Sequence, residues 1–271
     1  MILANVIFGP NRHAPKDELE DAAERYLGSL YHTGQLCGEH FLAWTKGILN
    51  AHVILAGRDA TKPRFHSRVG KRELRNVVNT FGRQPQWKMI DDEARRTPST
   101  WKRSPFLYLF THAFDWSSPI CRGDAEDPVP LYLVPAPFEI KERIVRWQRS
   151  YRLHDNIWLD SGALEIAAYR QLADWDSELA EEGRSLCREI ETATKVPTFY
   201  YLWRCWGRAT REDERPCPEC GGDWKVESPG TPGCFWQFDF KCDRCRLVSH
   251  KGVSTDGGRH ARIGEFRGGR K

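Results

Sequence analysis

Apolar and polar positions along this chain follow two rhythms. The opening run Ile2-Leu3-Ala4-Asn5-Val6-Ile7-Phe8 is apolar and β-branched, and reads as a first strand. Residues 15–31 switch to a helical period. Leu19, Ala22, Ala23, Tyr26, Leu27 and Leu30 form one face, and Asp17, Glu18, Glu20, Asp21 and Glu24 form the other. Residues 41–44 and 48–55 read as paired strands, and 106–110 and 131–134 as short buried strands. Strand and helix alternate without a clear βαβ repeat, so residues 1–135 are expected to form a mixed α/β domain within an α+β protein.

The middle of the chain turns helical. Ile140, Ile144, Trp147 and Tyr151 step by four, three and four, and Leu179, Gly183, Leu186 and Ile190 repeat that stepping. A shorter helix is expected between them, over 163–172. Pro197 ends the last helix, and Phe199-Tyr200-Tyr201-Leu202-Trp203 reads as a strand. Residues 136–211 are thus expected to be a helical segment ending in a strand and packed on the first domain.

The strongest chemical signal lies beyond it. Cys217-Pro-Glu-Cys220 and Cys242-Asp-Arg-Cys245 are two matched pairs with 21 residues between them. Two residues between cysteines let one tight turn present both sulfurs, and two such knuckles close a tetrahedron. Gly221 and Gly222 free the first knuckle from Cβ clashes. Trp224-Lys225-Val226 and the alternation of Trp236, Phe238 and Phe240 read as the two arms of a small hairpin. Residues 212–251 are therefore expected to be an all-β zinc ribbon holding one structural Zn2+. Rubredoxin-type iron uses the same four thiolates. A disulfide or redox reading is disfavoured because no secretion signal is read in the sequence and Cys-x-x-Cys pairs in a reducing compartment favour metal or catalysis. Four cysteines leave no open coordination position, which argues against zinc-dependent hydrolysis there. Cys234 is out of step with either knuckle and stays outside the site.

Composition refines the picture. Hydrophobic residues make up 40% of the 271, enough for a real core, and the net charge of +4 is too mild to imply nucleic acid by itself. No apolar run approaches the roughly 20 residues that span a bilayer, so no membrane partner is expected. The start lacks a basic leader region, and five scattered cysteines (Cys37, Cys121, Cys187, Cys205, Cys234) suit a reducing compartment, so a cytoplasmic location is expected. Charge is distributed unevenly. Residues 58–103 hold 13 Lys/Arg against 5 Asp/Glu, whereas residues 217–251 are balanced at five of each. Residues 174–191 are acidic and could dock on the basic segment. Residues 252–271 are rich in glycine and arginine and are expected to be a flexible tail.

Several stretches together resemble a bacterial family of unknown function, described as zinc-ribbon-containing and nucleic-acid-binding. They are Ser118-Pro119-Ile120-Cys121, Val129-Pro130-Leu131-Tyr132, Trp147-Gln148, Gly183-Arg184-Ser185-Leu186-Cys187, the run from Pro197 to Arg204, Cys217-Pro218-Glu219-Cys220-Gly221-Gly222, and the run from Phe240 to Ser249. The resemblance spans residues 105–250 in order and implies no catalytic residues. Cys121-Arg122-Gly123-Asp124 has no further cysteine beside it, which argues against a second metal site there.

Two functions follow as expectations. The first is RNA or DNA binding through Arg64, Arg68, Lys71, Arg72 and Arg75 of the basic segment and Arg259, Arg262 and Arg267 of the tail, since phosphates attract clustered cations. The second is a protein partner such as a toxin, with this chain acting as an immunity, antitoxin or adaptor protein. A hydrolase built on Cys37 and His40 with His32 and His52, or on His112 with Asp115, is the remaining alternative. These groups show no nucleophile motif, phosphate loop or metalloprotease helix, so the chain is expected not to be an enzyme.

Overall fold

The structure is a computed structural model, and it describes residues 1–10, 14–90, 100–227, 234, 238–255 and 258–268. It is α+β, with two sheets in two compact units. Unit one comprises residues 1–99, 116–118 and 130–145, and unit two comprises 100–115, 119–129 and 146–271. The division differs from the expected segments 1–135, 136–211, 212–251 and 252–271. Short stretches that are neighbours in sequence fall into different units.

In unit one, β1 (Ile2–Pro10), α1 (Lys16–Tyr31), β2 (Leu36–Thr45), β3 (Ile48–Leu55), α2 (Arg68–Phe81) and β4 (Gln86–Met89) build an antiparallel sheet of order β2-β3-β1-β4. This is the split βαβ arrangement, which the hydrophobic pattern does not announce because α2 and β4 lie inside the basic stretch. The local signals for α2 are present. The Ser67 hydroxyl accepts the Gly70 N–H at the N-cap, and Gly82 takes the left-handed conformation that ends the helix. Every apolar residue assigned to the inner face of α1 is buried. That face packs with Ile2, Ala4, Val6 and Phe8 of β1 and with Val77 of α2 into one core. Leu131–Leu133, expected as a strand, is instead a single 3-10 turn. Pro130 precedes it and Pro135 follows, and a proline has no N–H to give to a sheet.

Unit two contains a five-stranded sheet of order β6-β5-β7-β9-β8, built from β5 (Leu107–Leu109), β6 (Ile120–Arg122), β7 (Thr198–Leu202), β8 (Phe240–Cys242) and β9 (Leu247–Ser249). Strand β7 runs parallel to both neighbours, and all five of its residues are buried. From β5 the chain passes through antiparallel β6 and then helices α3 (Phe138–Asp160, from Arg146 onward in this unit), α4 (Glu165–Ala173) and α5 (Glu178–Thr194) before it returns as β7. A parallel pair needs such a long connection. No helix among the described residues is long and apolar enough to cross a membrane.

Gly183 lets these layers approach closely. A Cβ there would lie 2.2 Å from the Tyr200 ring and 2.9 Å from Trp147 Nε1, whose N–H is committed to the Leu179 carbonyl. Gly183→Ala is expected to lose about 1–3 kcal/mol to overpacking, offset by less than the ~1 kcal/mol that alanine gains in an open helix. A thermal melt with an unchanged or higher midpoint would contradict this.

Candidate metal centre

The two cysteine knuckles sit at the edge of the second sheet. Cys217 and Cys220 bracket one turn, and Cys242 and Cys245 bracket the turn that joins β8 to β9. Each knuckle ends in a left-handed residue, Gly221 at φ 70° and Arg246 at φ 55°. Glycine adopts this conformation freely, whereas Arg246 is held in it by its surroundings. The Gly221 N–H bonds the Cys217 carbonyl, the Cys217 N–H bonds the Gly222 carbonyl, and the Cys245 N–H points at Cys242 Sγ.

All four Sγ atoms lie within 4.8 Å of one another, and Cys220 Sγ and Cys242 Sγ are 3.8 Å apart. A tetrahedron with metal–sulfur bonds of about 2.3 Å has sulfur–sulfur edges of about 3.8 Å, so the four cysteines fit a bound metal ion. Burial pushes the Cys217 thiol up to about 12 and raises Cys245, while the Gly222 N–H lowers Cys220. Bringing four thiols together is costly unless a cation offsets the charge of their deprotonated forms.

The arms of the hairpin meet as the sequence implied. Val226 N–H bonds the Asp239 carbonyl, and Lys241 N–H bonds the Trp224 carbonyl. Trp236 lies outside the described residues. The knuckles are not a free module, however. Strand β9 pairs with β7, so the hairpin extends the sheet of unit two. Two ion pairs fasten the knuckles to α5: Glu219 to Arg184 at 2.5 Å, and Arg246 to Glu191 at 3.1 Å.

Beneath the centre lies a buried guanidinium pair. Arg215 is sandwiched against the Trp224 and Phe240 rings and donates to the Ser249 hydroxyl and the His250 carbonyl. Desolvation lowers its pKa to about 9. Arg204, only 2% exposed, pairs with Glu212 and Glu265 and donates to the Ala261 and Ile263 carbonyls. The tail is therefore ordered where it is described. Residues 258–268 dock on unit two, Ala261 and Ile263 are buried, and Asp174 accepts from the Gly264 N–H and from Arg267. Within the stretch expected to be a flexible tail, residues 258–268 make these long-range contacts.

The residues expected to bind a partner separate accordingly. Arg68, Lys71, Arg72 and Arg75 are all exposed on α2, and Arg64 is exposed just before it, paired with Asp59. Arg259 and Arg262 are exposed in the tail, whereas Arg267 is engaged with Asp174. Two members of the acidic run find partners within unit two, Asp174 at Arg267 and Glu191 at Arg246. The alternative catalytic groups lie elsewhere: Cys37 is buried on β2, His40 faces Glu24 at 2.7 Å, and His52 is exposed on β3 opposite Phe41.

Three family models cover these parts of the chain, all described as domains of unknown function: DUF8589 over residues 1–91, DUF2310 over 102–203 and DUF8594 over 207–254. An uncharacterized protein of Haemophilus influenzae is 34% identical over 163 residues, covering 59% of this chain and 75% of that protein. A second uncharacterized protein of the same organism is 29% identical over 228 residues, covering 81% and 85%. No solved structure matches. The chain belongs to this bacterial family of unknown function, with the DUF2310 domain as its central segment.

Two outcomes are expected. Stripping the metal, or Cys242→Ser, should release amide protection first in the knuckles and β9, then in β7. Hydrogen exchange that stays unchanged after complete chelation would contradict a structural role for a metal bound there. The second concerns His250, whose burial, reinforced by Arg215 and Arg204, lowers its pKa to about 3. The unfolded chain takes up this proton near the usual 6.5 and the folded chain does not. This contribution to stability is therefore present above about pH 6.5 and is lost as pH falls toward about 3, by up to ~1.4 kcal/mol per pH unit. Urea midpoints of His250→Gln should fall less steeply than wild type between about pH 7 and about pH 5.

Proposed function

We propose that the four cysteines hold a structural zinc ion and that this non-enzymatic protein binds RNA or DNA through the outer face of α2. A closed set of four thiolates suits zinc and leaves no position for a reacting water. The observation that carries the binding proposal is the stripe on α2. Arg68, Lys71, Arg72 and Arg75 occupy positions i, i+3, i+4 and i+7 and are all exposed. Such spacing lines four cations along one helix face. Arg72 also touches Glu73, which is buried and turned toward Arg25 as well. Arg68, Lys71 and Arg75 have no carboxylate partner among the described residues. Unpaired cations on a rigid face favour a polyanion, because binding releases counterions from the phosphates.

Residues 217–251 are charge-balanced, which suits a scaffolding role. The protein-partner reading rests on the acidic run as a phosphate mimic. Asp174 and Glu191 are tied to Arg267 and Arg246, which leaves less of that run for a partner.

Binding to a short single-stranded oligonucleotide, followed by fluorescence anisotropy, should weaken steeply with added salt. Changing Arg68, Lys71, Arg72 and Arg75 to Gln should reduce the slope of log K against log salt by about 2–3, at about 0.7 per phosphate contact. An unchanged slope and affinity would reject α2 as the binding face.

A further inference from the structure

Outside the four-cysteine centre, unit two holds a second place where charged side chains converge. A cavity of about 300 Å³ is lined by the turn at residues 207–209 and by the docked tail, with Arg208, Ala209, Ala261, Arg262 and Glu265 in its wall. That volume is at the small end of ligand-binding cavities, which span about 300–1,000 Å³. The wall is built on the buried Arg204. All three guanidinium nitrogens are committed, to Glu212, to Glu265 and to the carbonyls of Ala261 and Ile263. Arg204 thus ties the tail side of the cavity to Glu212. Glu212 in turn accepts the Arg208 backbone N–H, which fixes the turn on the other side.

The charges around this cavity do not balance. Glu265 is shared by Arg204 and Arg208, at 3.3 and 2.6 Å, so one carboxylate faces two cations. Glu212 is shared by Arg204 and Arg215. With Arg262 in the wall, four arginines stand against two glutamates, an excess of two positive charges among these residues. Arg204 has no donor left, and Arg215 is covered by its two rings. The donors that remain belong to Arg208 and Arg262. Arg208 uses only its Nε toward Glu265, and Arg262 is exposed with no carboxylate partner among the described residues. Guanidinium forks with donors to spare match the oxygens of a phosphate. A phosphodiester within a strand carries one charge, and a surface track is enough to hold it. A terminal phosphate monoester carries about −1.5 to −2, which offsets the excess, and a group that ends the molecule is the kind a cavity receives. We propose that this cavity binds a terminal phosphate monoester, on a free nucleotide or at the end of a nucleic-acid strand, with Arg208 and Arg262 as its hydrogen-bond donors. The site belongs to unit two and the α2 stripe to unit one, so it does not depend on binding through α2.

The test uses the metal-loaded full-length protein and isothermal titration calorimetry with two pairs of probes. One pair is adenosine 5′-monophosphate and adenosine; the other is a short oligothymidylate with a 5′-phosphate or a 5′-hydroxyl. In at least one pair the phosphorylated member should bind about tenfold more tightly or better, the worth of one charge-assisted hydrogen bond. A preference within the first pair assigns the site to free nucleotides, and one within the second pair assigns it to strand ends. The preference should vanish in Arg262→Gln and in Ala209→Glu, which sets a carboxylate in the cavity wall. Both positions are exposed, and circular dichroism checks that both variants fold. Changing Arg68, Lys71, Arg72 and Arg75 to Gln should leave the preference intact, whatever it does to oligonucleotide affinity. Equal binding within both pairs would overturn the proposal. So would a preference that survives Arg262→Gln and Ala209→Glu, or one that is lost with the α2 cations.

Discussion

Strand β7 is buried on both faces and along both edges, and that constraint organises unit two. Every N–H and C=O of a buried central strand must find a partner. Strand β5 supplies one edge, and the other is supplied by β9, the strand leaving the second knuckle. The Tyr200 N–H bonds the carbonyl of Arg246, the left-handed residue that closes that knuckle. A metal site that looks like a small appendage in the sequence therefore completes the hydrogen bonding of a wholly buried strand. Metal affinity and sheet integrity draw on the same contacts.

Buried charge plays a second structural part. Two guanidinium groups, Arg204 and Arg215, share Glu212 beneath the knuckles, and Arg204 reaches on to Glu265 and two tail carbonyls. Aromatic rings of Trp224 and Phe240 cover Arg215 and exclude water from it. Such a network adds little stability over an apolar core, but removing one member strands a buried charge at a cost of about 3–5 kcal/mol. It demands one arrangement of knuckle, strand and tail.

The four thiols gather beside the sheet of unit two, whereas the stripe of exposed cations Arg68, Lys71, Arg72 and Arg75 lies on α2 of unit one.

What the sequence determined by itself was everything encoded over a few residues. The spacing of Cys217, Cys220, Cys242 and Cys245 dictates two turns and a tetrahedron, and the stepping of Leu19, Ala22, Tyr26 and Leu30 dictates the buried face of α1. The basic helix α2 is legible in part. Its cations stand out in the sequence and its capping Ser67 and Gly82 are present there, but the basic stretch masks the helical period, so the charge appears without the rigid face that lines it up. Leu131–Leu133 looks like a strand by composition, and its flanking prolines decide otherwise. Only the tertiary structure decided the rest. The tail's arginines read as free until Asp174 claims Arg267 and Arg204 claims the carbonyls of Ala261 and Ile263. Cys234 reads as a stray until its backbone N–H meets the Tyr108 hydroxyl. The physical reason is common to both. Periodicity and turn chemistry act between neighbours in the chain. Ion pairing, burial and long-range hydrogen bonding act between neighbours in space, and no local pattern records which distant residue will supply the partner.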